Sequence, residues 1–267
     1  MGINRTAGLA LAAVVVGLSL AGTAPAEAQS QVVTVDYMKV APGQDDGYLQ
    51  VEQKMWKPIH EARVKAGKAL GWYLYRVQSP SGTLVDHNYV TVAVYSSFAA
   101  TENPYPDELA AQLSAAEVMK KTLAARDLVR SEIWGAITGA PETAIAKPAP
   151  FLIIEYMKVP RGGDEAYVEV EKLWKKMHEV RIKEGTLADW GVYGRILPGG
   201  SDYPYDYATA NGYNHYKDLV GLDFAGLVQR AAVGMSANEL AERTGKVRDL
   251  VRSELWSLVD YVQAPPK

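Results

Sequence analysis

Cysteine is missing from the sequence altogether. Its absence excludes disulfide bonds, thiolate metal ligands, cysteine nucleophiles and the lipid-carrying cysteine of a bacterial lipoprotein. Histidine is scarce, with four residues in 267 (His60, His87, His178 and His215), and no two of them stand at a metal-ligand spacing. We therefore predict no bound metal. Cohesion in a chain without disulfides has to come from packing.

Charge of one sign is not in large excess either, because 28 Lys and Arg stand against 31 Asp and Glu, a net charge of −3. Nucleic-acid binding calls for a concentrated basic surface, so we predict no nucleic-acid partner. No Ser-His-Asp order, phosphate-binding glycine loop or dinucleotide fingerprint stands out. His60 and His178 each begin a His-Glu dipeptide, but Val64 or Ile182 occupies the place of a zinc protease's second histidine. The sequence thus lacks a compact catalytic signature.

Residues 1–28 have the pattern of a signal peptide. Arg5 supplies the positive charge, residues 7–21 are almost entirely apolar, and the Ala-Glu-Ala at 26–28 fits a cleavage site between small residues. A membrane span needs roughly 20 apolar residues, so this run is short for one, and we expect no span after cleavage. The prediction is an exported bacterial protein, periplasmic or secreted.

A nine-residue stretch occurs twice and organises the rest of the chain. Residues 126–134 read Arg-Asp-Leu-Val-Arg-Ser-Glu-Ile-Trp, and residues 248–256 repeat them with Leu in place of Ile. A second matching pair, residues 56–63 and 174–181, places Trp, His and Arg on one stripe of a predicted helix. A period of about 120 residues indicates two whole modules in tandem.

Both modules have the predicted element order strand-helix-strand-strand-helix-strand. In the first module, residues 29–137, the strands are predicted at 32–40, 72–77, 89–95 and 129–137 and the helices at 46–66 and 114–127. In the second, residues 151–263, the strands are predicted at 151–159, 190–196, 207–213 and 251–259 and the helices at 165–184 and from Ser236 onward. The Pro- and Ala-containing residues 138–150 are the predicted linker and 264–267 the tail.

Local signals add two details. A capping box, Ser114 with Glu117, is predicted to start the last helix of the first module, and Ser236 with Glu239 does the same in the second. The segment before Trp56 is one residue longer than the matching segment before Trp174. We predict that the extra residue lies in the preceding loop or forms a helical bulge near Pro58, and that any asymmetric site lies in the first module.

This element order is that of a ferredoxin-like βαββαβ module. Two such modules in one chain can bury their open sheet faces against each other. The chain resembles the dimeric α+β barrel superfamily, which includes antibiotic-biosynthesis monooxygenases, heme-degrading monooxygenases, chlorite dismutases and the EthD and NIPSNAP families. The resemblance implies an α+β fold in which two tandem ferredoxin-like modules form one barrel within the chain.

The resemblance does not carry over a heme site. Heme-degrading relatives hold heme with a histidine on the second helix of the module, and residues 115–127 and 237–249 contain no histidine. We therefore predict no cofactor and keep heme as the alternative. The His of the Trp-His-Arg stripe is open to two interpretations, a packing residue against the sheet or a proton donor, anion contact or heme-facing group.

Strand alternation predicts which side chains point into the barrel. Arg130, Glu132, Trp134 and their counterparts Arg252, Glu254 and Trp256 are predicted to point inward. So are Asp36 and Glu155, beside Met38 and Met157, each near the Arg or Glu of its own closing strand. On the third strands, the predicted inward residues are Tyr89, Thr91, Tyr95, Tyr207, Thr209, Asn211 and Tyr213. Their neighbours Val90, Val92, Val94, Ala208, Ala210 and Gly212 are then predicted to face the helices.

The inward set supports either structural salt bridges or a polar-aromatic ligand cavity. The candidate ligand-binding residues are Trp56, His60, Arg63, Tyr89, Arg130, Glu132, Trp134, Trp174, His178, Arg181, Tyr207, Arg252, Glu254 and Trp256. The predicted function is an exported, non-catalytic protein that binds a small aromatic or amphipathic ligand. The alternatives are an oxygenase-like or heme-using enzyme and an envelope interaction protein. Catalytic residues and oligomeric state stay open.

Overall fold

Eight antiparallel strands form one closed barrel in the computed structural model, which describes residues 31–109, 117–141 and 147–265. The strands are β1 (Val32–Lys39), β2 (Gly71–Ser79), β3 (Tyr89–Tyr95), β4 (Asp127–Ala140), β5 (Phe151–Lys158), β6 (Asp189–Leu197), β7 (Tyr207–Tyr213) and β8 (Asp249–Gln263). Their order around the barrel is β1-β3-β2-β8-β5-β7-β6-β4. Each half of that circle is a ferredoxin-like sheet in which the first and last strands of the module are neighbours. The predicted fold is confirmed.

The two modules are joined through the edges of their sheets. Strand β2 pairs with β8, and β4 pairs with β6, so each module's closing strand bridges to the other module. Both closing strands are longer than predicted, because they continue past their own sheet to make these pairs. Strand β4 runs to Ala140, beyond its predicted end at residue 137 and into the predicted linker, and β8 runs to Gln263.

Helices cover the outer face of the barrel. They are α1 (Asp45–Gln50), α2 (Lys57–Lys65), α3 (Glu117–Ala125), α4 (Asp164–Lys183), α5 (Phe224–Arg230) and α6 (Ala237–Val247). A π-helical segment, Val51–Trp56, joins α1 to α2, whereas the matching α4 is continuous. The extra residue of the first module is therefore a helical bulge just before Pro58, which is the second of the two alternatives. The bulge keeps the following Trp-His-Arg stripe on the same helix face as in α4.

Several predictions concern residues outside the described ranges. These include the signal peptide at 1–28, residue Ser114 of the first capping box and residues 142–146 of the central linker. The capping box of Ser236 and Glu239 is present at the start of α6. Among the described residues, no helix is both long and apolar enough to cross a membrane.

The barrel interior can be identified from its packing. One core cluster contains residues of strands from both modules and none from a helix, and it includes Val90, Trp134, Ala208 and Trp256. Val92, Val94 and Ala210 pack against the same cluster. The prediction for the third strands was therefore wrong: their Val and Ala residues point into the barrel. Small and β-branched side chains suit this narrow space, where Tyr and Trp from the other strands already meet.

The tyrosines of the third strands lie on the outer face, beneath the helices. Tyr89 and Tyr95 belong to clusters that contain residues of the helical layer, and Tyr207 and Tyr213 do so in the second module. Thr91 shares this parity, and Thr209 and Asn211 border a cavity between helix and sheet. A hydroxyl at the tip of a long side chain reaches polar partners on a helix that a valine cannot reach.

The prediction for the first strands was also wrong. Asp36 is paired in register with Thr91 and Ser131, and its carboxylate accepts a 2.5 Å hydrogen bond from the Ser131 hydroxyl on the helix side. Glu155 accepts from Thr209 Oγ1 at 3.2 Å on the matching face. Met38 and Met157 share that parity, and Met38 accepts a hydrogen bond from Tyr48 of α1. Because directly paired residues share a face, a carboxylate opposite Ser131 cannot lie beside Arg130 or Glu132.

Candidate functional site

The inward-facing Arg, Glu and Trp of each closing strand form a polar cluster at one end of the barrel. Glu132 is 1% exposed and accepts five hydrogen bonds. The donors are the hydroxyls of Tyr37 (3.0 Å), Tyr203 (2.5 Å) and Tyr205 (2.5 Å), Trp134 Nε1 (3.1 Å) and Arg130 Nε (3.1 Å). Tyr203 and Tyr205 come from the other module. The cluster therefore ties the two halves together.

The symmetry-related Glu254 has a different set of partners. Trp256 Nε1 donates to its carboxylate at 2.7 Å, Arg252 Nε lies 2.6 Å away, and His87 Nε2 lies at 3.2 Å. The other nitrogen of His87 is 2.7 Å from Asp86. Burial would raise the pKa of Asp86, but His87, Arg130 and Arg252 together hold it down at about 2. Asp86 thus lies between His87 and the arginines of both closing strands.

At the centre of the cluster, Tyr37 and Tyr156 share a hydrogen bond of 3.0 Å between equivalent positions of the two modules. Burial raises the pKa of both hydroxyls well above the usual value for tyrosine. Neutral tyrosines that serve as donors and acceptors make a fixed network. This arrangement matches the structural interpretation of the inward charges, in which they hold the two modules together. We call the cluster built on Arg130, Glu132, Trp134, Arg252, Glu254 and Trp256 the barrel-end lock.

The open polar site lies elsewhere, between α4 and the outer face of the second module's sheet. It is a cavity of about 530 Å³. The residues that carry its chemistry are Glu155, Glu171, Trp174, His178, Arg181, Trp190, Asn211, Tyr213 and Arg248. We call it the second-module cavity. Its wall opposite the sheet is formed in part by residues 218–223. Its volume is within the usual range for small-molecule sites.

The helical stripe supplies one wall of this cavity because Glu171, Trp174, His178 and Arg181 recur at helical spacing on α4. His178 lies between two indole rings, with ring-centroid distances of 5.8 Å to Trp174 and 4.8 Å to Trp190. Burial, followed by the charge of Arg181, lowers the pKa of His178 to about 3. The imidazole is therefore neutral at physiological pH. Its Nδ1 has no hydrogen-bond partner among the described residues.

Two guanidinium groups and a carboxyl group complete the polar surface. Arg181 makes a long hydrogen bond of 3.4 Å to the Tyr213 hydroxyl, and its Nε lacks a partner in the described chain. Arg248 Nε is 3.5 Å from Glu171 Oε1, too long and poorly aligned for a hydrogen bond, and both atoms are buried. Burial raises the pKa of Glu171 to about 7 against the opposing charge of Arg248. Buried polar atoms without partners are uncommon in folded proteins, so this concentration points to a ligand.

The first module contains the matching residues, but they satisfy one another. Arg63 makes hydrogen-bond contacts with His60 Nδ1 (2.9 Å), the Tyr95 hydroxyl (2.6 Å) and the Pro104 carbonyl (2.8 Å). The ring of Tyr105 lies 4.5 Å from the Arg63 guanidinium carbon. In the second module, Glu171, His178, Arg181 and Arg248 each have a buried polar atom without a hydrogen-bond partner. Among their first-module counterparts, Arg126 alone has such an unpartnered atom within the described ranges. The expectation that an asymmetric site would favour the first module was wrong, because a loop fills that position.

The sequence-predicted residues thus fall into four places. The filled copy of the helical stripe, in the first module, contains Trp56, His60 and Arg63. The second-module cavity is bordered by Trp174, His178 and Arg181. The barrel-end lock contains Arg130, Glu132, Trp134, Arg252, Glu254 and Trp256. Tyr89 and Tyr207 donate to Asp45 and Asp164 (2.6 Å each) at the helix N-termini. Sequence reasoning missed Glu171, Trp190 and Arg248, and it placed Glu155 inside the barrel. Glu171 continues the helical stripe, and Arg248 begins the repeated stretch, so both signals were present.

Comparisons with solved structures show the same fold. A provisionally assigned monooxygenase from Lactobacillus acidophilus superposes with a TM-score of 0.58 at 11% identity, over 90% of this chain and 99% of that one. A provisionally assigned chlorite dismutase gives 0.53 at 12% identity, over 87% and 96%. An anthrone oxidase-like protein gives 0.50 at 12%, over 89% and 94%. No family model matches the chain, and no curated protein matches its sequence.

These neighbours share the fold of this chain, a closed α+β barrel made of two ferredoxin-like modules. At this level of identity, the shared fold does not transfer an activity. Across the described residues, no group of three or more His, Asp or Glu side chains is arranged to hold a metal ion.

Proposed function

We propose that the protein is an oxygenase-like enzyme that binds a small, planar, anionic organic substrate in the second-module cavity. The observation that carries the proposal is the buried Glu171 carboxyl, which faces guanidinium and imidazole nitrogens without partners in a space of about 530 Å³. The names of the structural neighbours, two of them a monooxygenase and an anthrone oxidase-like protein, favour this alternative over the predicted non-catalytic binding protein.

Each lining residue has a role in this proposal. Arg181 and Arg248 pair with the substrate's anionic group, because buried guanidinium–anion contacts are strong and directional. Trp174 and Tyr213 border the cavity and supply apolar contacts to an aromatic ring. Glu171 exchanges a proton with the substrate, since a pKa of about 7 suits a general acid–base group at neutral pH. Loss of a proton turns a carbon acid into a carbanion, which can then donate electrons to O₂.

A second candidate, heme binding, is favoured by the neutral imidazole nitrogen of His178. The residues fit this group in kind: His178 would hold the iron, and Arg181 and Arg248 would hold the carboxylate groups. Heme would supply activation of oxygen or peroxide. The protein residues would then orient the bound molecule and exclude water. The expectation of no cofactor is therefore open to test.

The two modules provide a matched control for both candidates. Purified protein is supplied with anthrone and with hydroxylated aromatic acids, and O₂ uptake is recorded. We expect Glu171→Gln to lower the rate by roughly 100-fold or more, in the range of lost acid–base catalysis, and Glu52→Gln to leave it nearly unchanged. Equal rates in the two variants, or no uptake with any probe, would count against the enzyme proposal.

Hemin titration tests the second candidate. We expect a Soret shift in the native protein and in His60→Ala, and its loss in His178→Ala. A Soret shift that survives His178→Ala would exclude His178 as the iron ligand, and the absence of any shift would exclude heme binding.

Export is proposed from the signal-like residues 1–28. Mass measurement of protein from the periplasmic or secreted fraction, with cleavage expected after Ala28, tests that point.

A further inference from the structure

A second cavity, of about 840 Å³, lies inside the barrel. Its floor is the inner side of the barrel-end lock, where Tyr37, Trp134, Tyr156 and Trp256 line it. Its walls are largely apolar and come from both modules, with Val33, Val35, Val92, Val94, Leu152 and Ile154 among them. We call it the barrel cavity. It is separated from the second-module cavity by the sheet itself.

One buried carboxyl group faces this apolar space. Asp189 begins β6 and lines the barrel cavity, and its Oδ2 has no hydrogen-bond partner among the described residues. Lys175, the other charged lining residue, has an interaction of its own. Burial raises the pKa of Asp189 to about 6. The carboxyl group is therefore mostly ionised at neutral pH without a described countercharge.

The backbone around Asp189 is shaped to hold this carboxyl group. Gly212 is paired with Asp189 across the sheet, and a Cβ at that glycine would collide with the carboxylate. A Cβ at Gly191 would lie 2.9 Å from the Tyr193 hydroxyl, and one at Gly71 would lie 2.7 Å from that of Tyr73. The tyrosine side chains thus fold over glycines beside the acid. Any larger residue at these three positions would displace the acid or the rings.

This acid belongs to the second copy alone. Trp72 and Trp190 occupy equivalent positions in the two modules. The residue before Trp72 is Gly71, whereas the residue before Trp190 is Asp189. Duplication of the fold by itself does not call for a carboxyl group here. An unpaired charge in an apolar cavity lowers stability unless a partner is bound. Tyrosine rings border the same space, and aromatic faces attract cations.

We propose that the barrel cavity is a second ligand site, which takes an aromatic amine whose ammonium group pairs with Asp189 and whose ring packs between Tyr73, Tyr193 and the valines. The ammonium group supplies a countercharge to the carboxylate that lines the cavity, and the apolar walls accept the hydrocarbon body. A carboxylate ligand is disfavoured by the charge of Asp189. This site is independent of the proposed oxygenase chemistry, which uses residues on the other face of the sheet.

The probe is 2-phenylethylamine, titrated into the full-length protein by calorimetry and by the fluorescence of Trp134 and Trp256. We expect binding to the native protein, no binding of phenylacetate, and an affinity at least about tenfold weaker in Asp189→Asn, the loss of about 1.4 kcal/mol that one charge contact contributes. Glu171→Gln serves as the control and should bind the amine as the native protein does. Ala210→Leu, which fills the cavity, should also lose binding while keeping its circular dichroism spectrum.

Three results would overturn the inference. They are equal affinity of native protein and Asp189→Asn, equal affinity for 2-phenylethanol and the amine, and no binding of the amine at millimolar concentration. Because the control variant Glu171→Gln tests the other cavity separately, failure here leaves the proposed enzyme function in place. Failure of the O₂-uptake experiment likewise leaves the amine site in place.

Discussion

The two copies of the Trp-His-Arg stripe have the same residues and opposite outcomes. In the first module, Arg63 is bonded to His60, Tyr95 and Pro104 and covered by Tyr105. In the second module, the same stripe borders an open cavity. The difference comes from the segment after the third strand, which is four residues longer in the second copy between that strand's last Tyr and the Ser of the capping box.

The longer segment lines the cavity with residues 218–223 and then forms α5. Phe224 of α5 stacks on Trp174 with a ring-centroid distance of 5.6 Å, and Arg230 donates to Glu184 at 2.9 Å. These contacts hold the segment against the rim. After duplication, one copy of a polar helix–sheet site can therefore be closed for stability while the other stays available for a ligand.

The largest expected loss of stability follows from removing Glu132, and it should exceed the loss from removing Glu254, the equivalent carboxylate of the barrel-end lock. Glu132→Ala should lower the free energy of unfolding by about 4 kcal/mol, because it removes the shared acceptor of five donors, one of them Nε of Arg130. Glu254→Ala removes fewer contacts and should cost about 1 kcal/mol less. Guanidinium chloride denaturation of both variants measures the difference. A loss below about 1 kcal/mol in Glu132→Ala would show that the network is not a lock.

The pH dependence of stability should be shared by both modules. Burial raises the pKa of both Glu52 and Glu171 from 4.5 to about 7, so the folded state holds these protons more tightly than the unfolded chain does. Their contribution is complete below pH 4.5 and is lost as pH rises through about 7. The expected loss is roughly 3 kcal/mol per group as an upper value.

Denaturation curves between pH 6.5 and 8 test this expectation, because below pH 6.5 the lowered pKa values of His60 and His178 oppose the effect of the two carboxyl groups. Glu52→Gln and Glu171→Gln should each flatten the dependence, and the double variant should flatten it most. If the slope of the double variant equals that of the native protein, another group carries the dependence.

Truncation of the two stripe arginines should distinguish the filled copy from the open one. Arg63→Ala removes three hydrogen-bond contacts and the contact with Tyr105, and should destabilise the protein by about 3 kcal/mol. Arg181→Ala removes one long hydrogen bond and should cost less than about 1 kcal/mol. Thermal unfolding of the two variants provides the comparison. Equal losses would mean that the second-module site is as tightly packed as the first.

The smallest effect should be the same in both modules. Trp56 Nε1 donates to Thr122 at 2.8 Å, and Trp174 Nε1 donates to Thr244 at 3.1 Å. Thr122→Val and Thr244→Val should each cost about 1 kcal/mol, because each leaves one indole N–H without its acceptor. Matching chemical denaturation midpoints would confirm that this part of the duplicated design is unchanged. A loss confined to one variant would show that the asymmetry extends beyond the loops.

Much of the architecture was accessible from the sequence because repetition and local chemistry are encoded in adjacent residues. The nine-residue repeat predicted the tandem modules, and Ser236 with Glu239 predicted a helix start. The extra residue before Trp56 predicted either a longer loop or a helical bulge, and the structure has the bulge. The direction of the closing-strand side chains was also correct. The first and third strands failed, since a strand with Tyr on one face and Val on the other has two buried faces, and alternation alone does not say which is inner.

The sequence by itself determined the duplication, the βαββαβ order, the absence of disulfides and the residue types of the helical stripe. Tertiary structure decided the register, which set Asp36 opposite Ser131 and turned it away from Arg130 and Glu132. It also decided which copy of the stripe stays open, because that depends on where a distant loop packs. Local patterns report on neighbours along the chain, whereas cavities and unpartnered groups such as Glu171 and Asp189 arise from contacts between segments far apart in sequence.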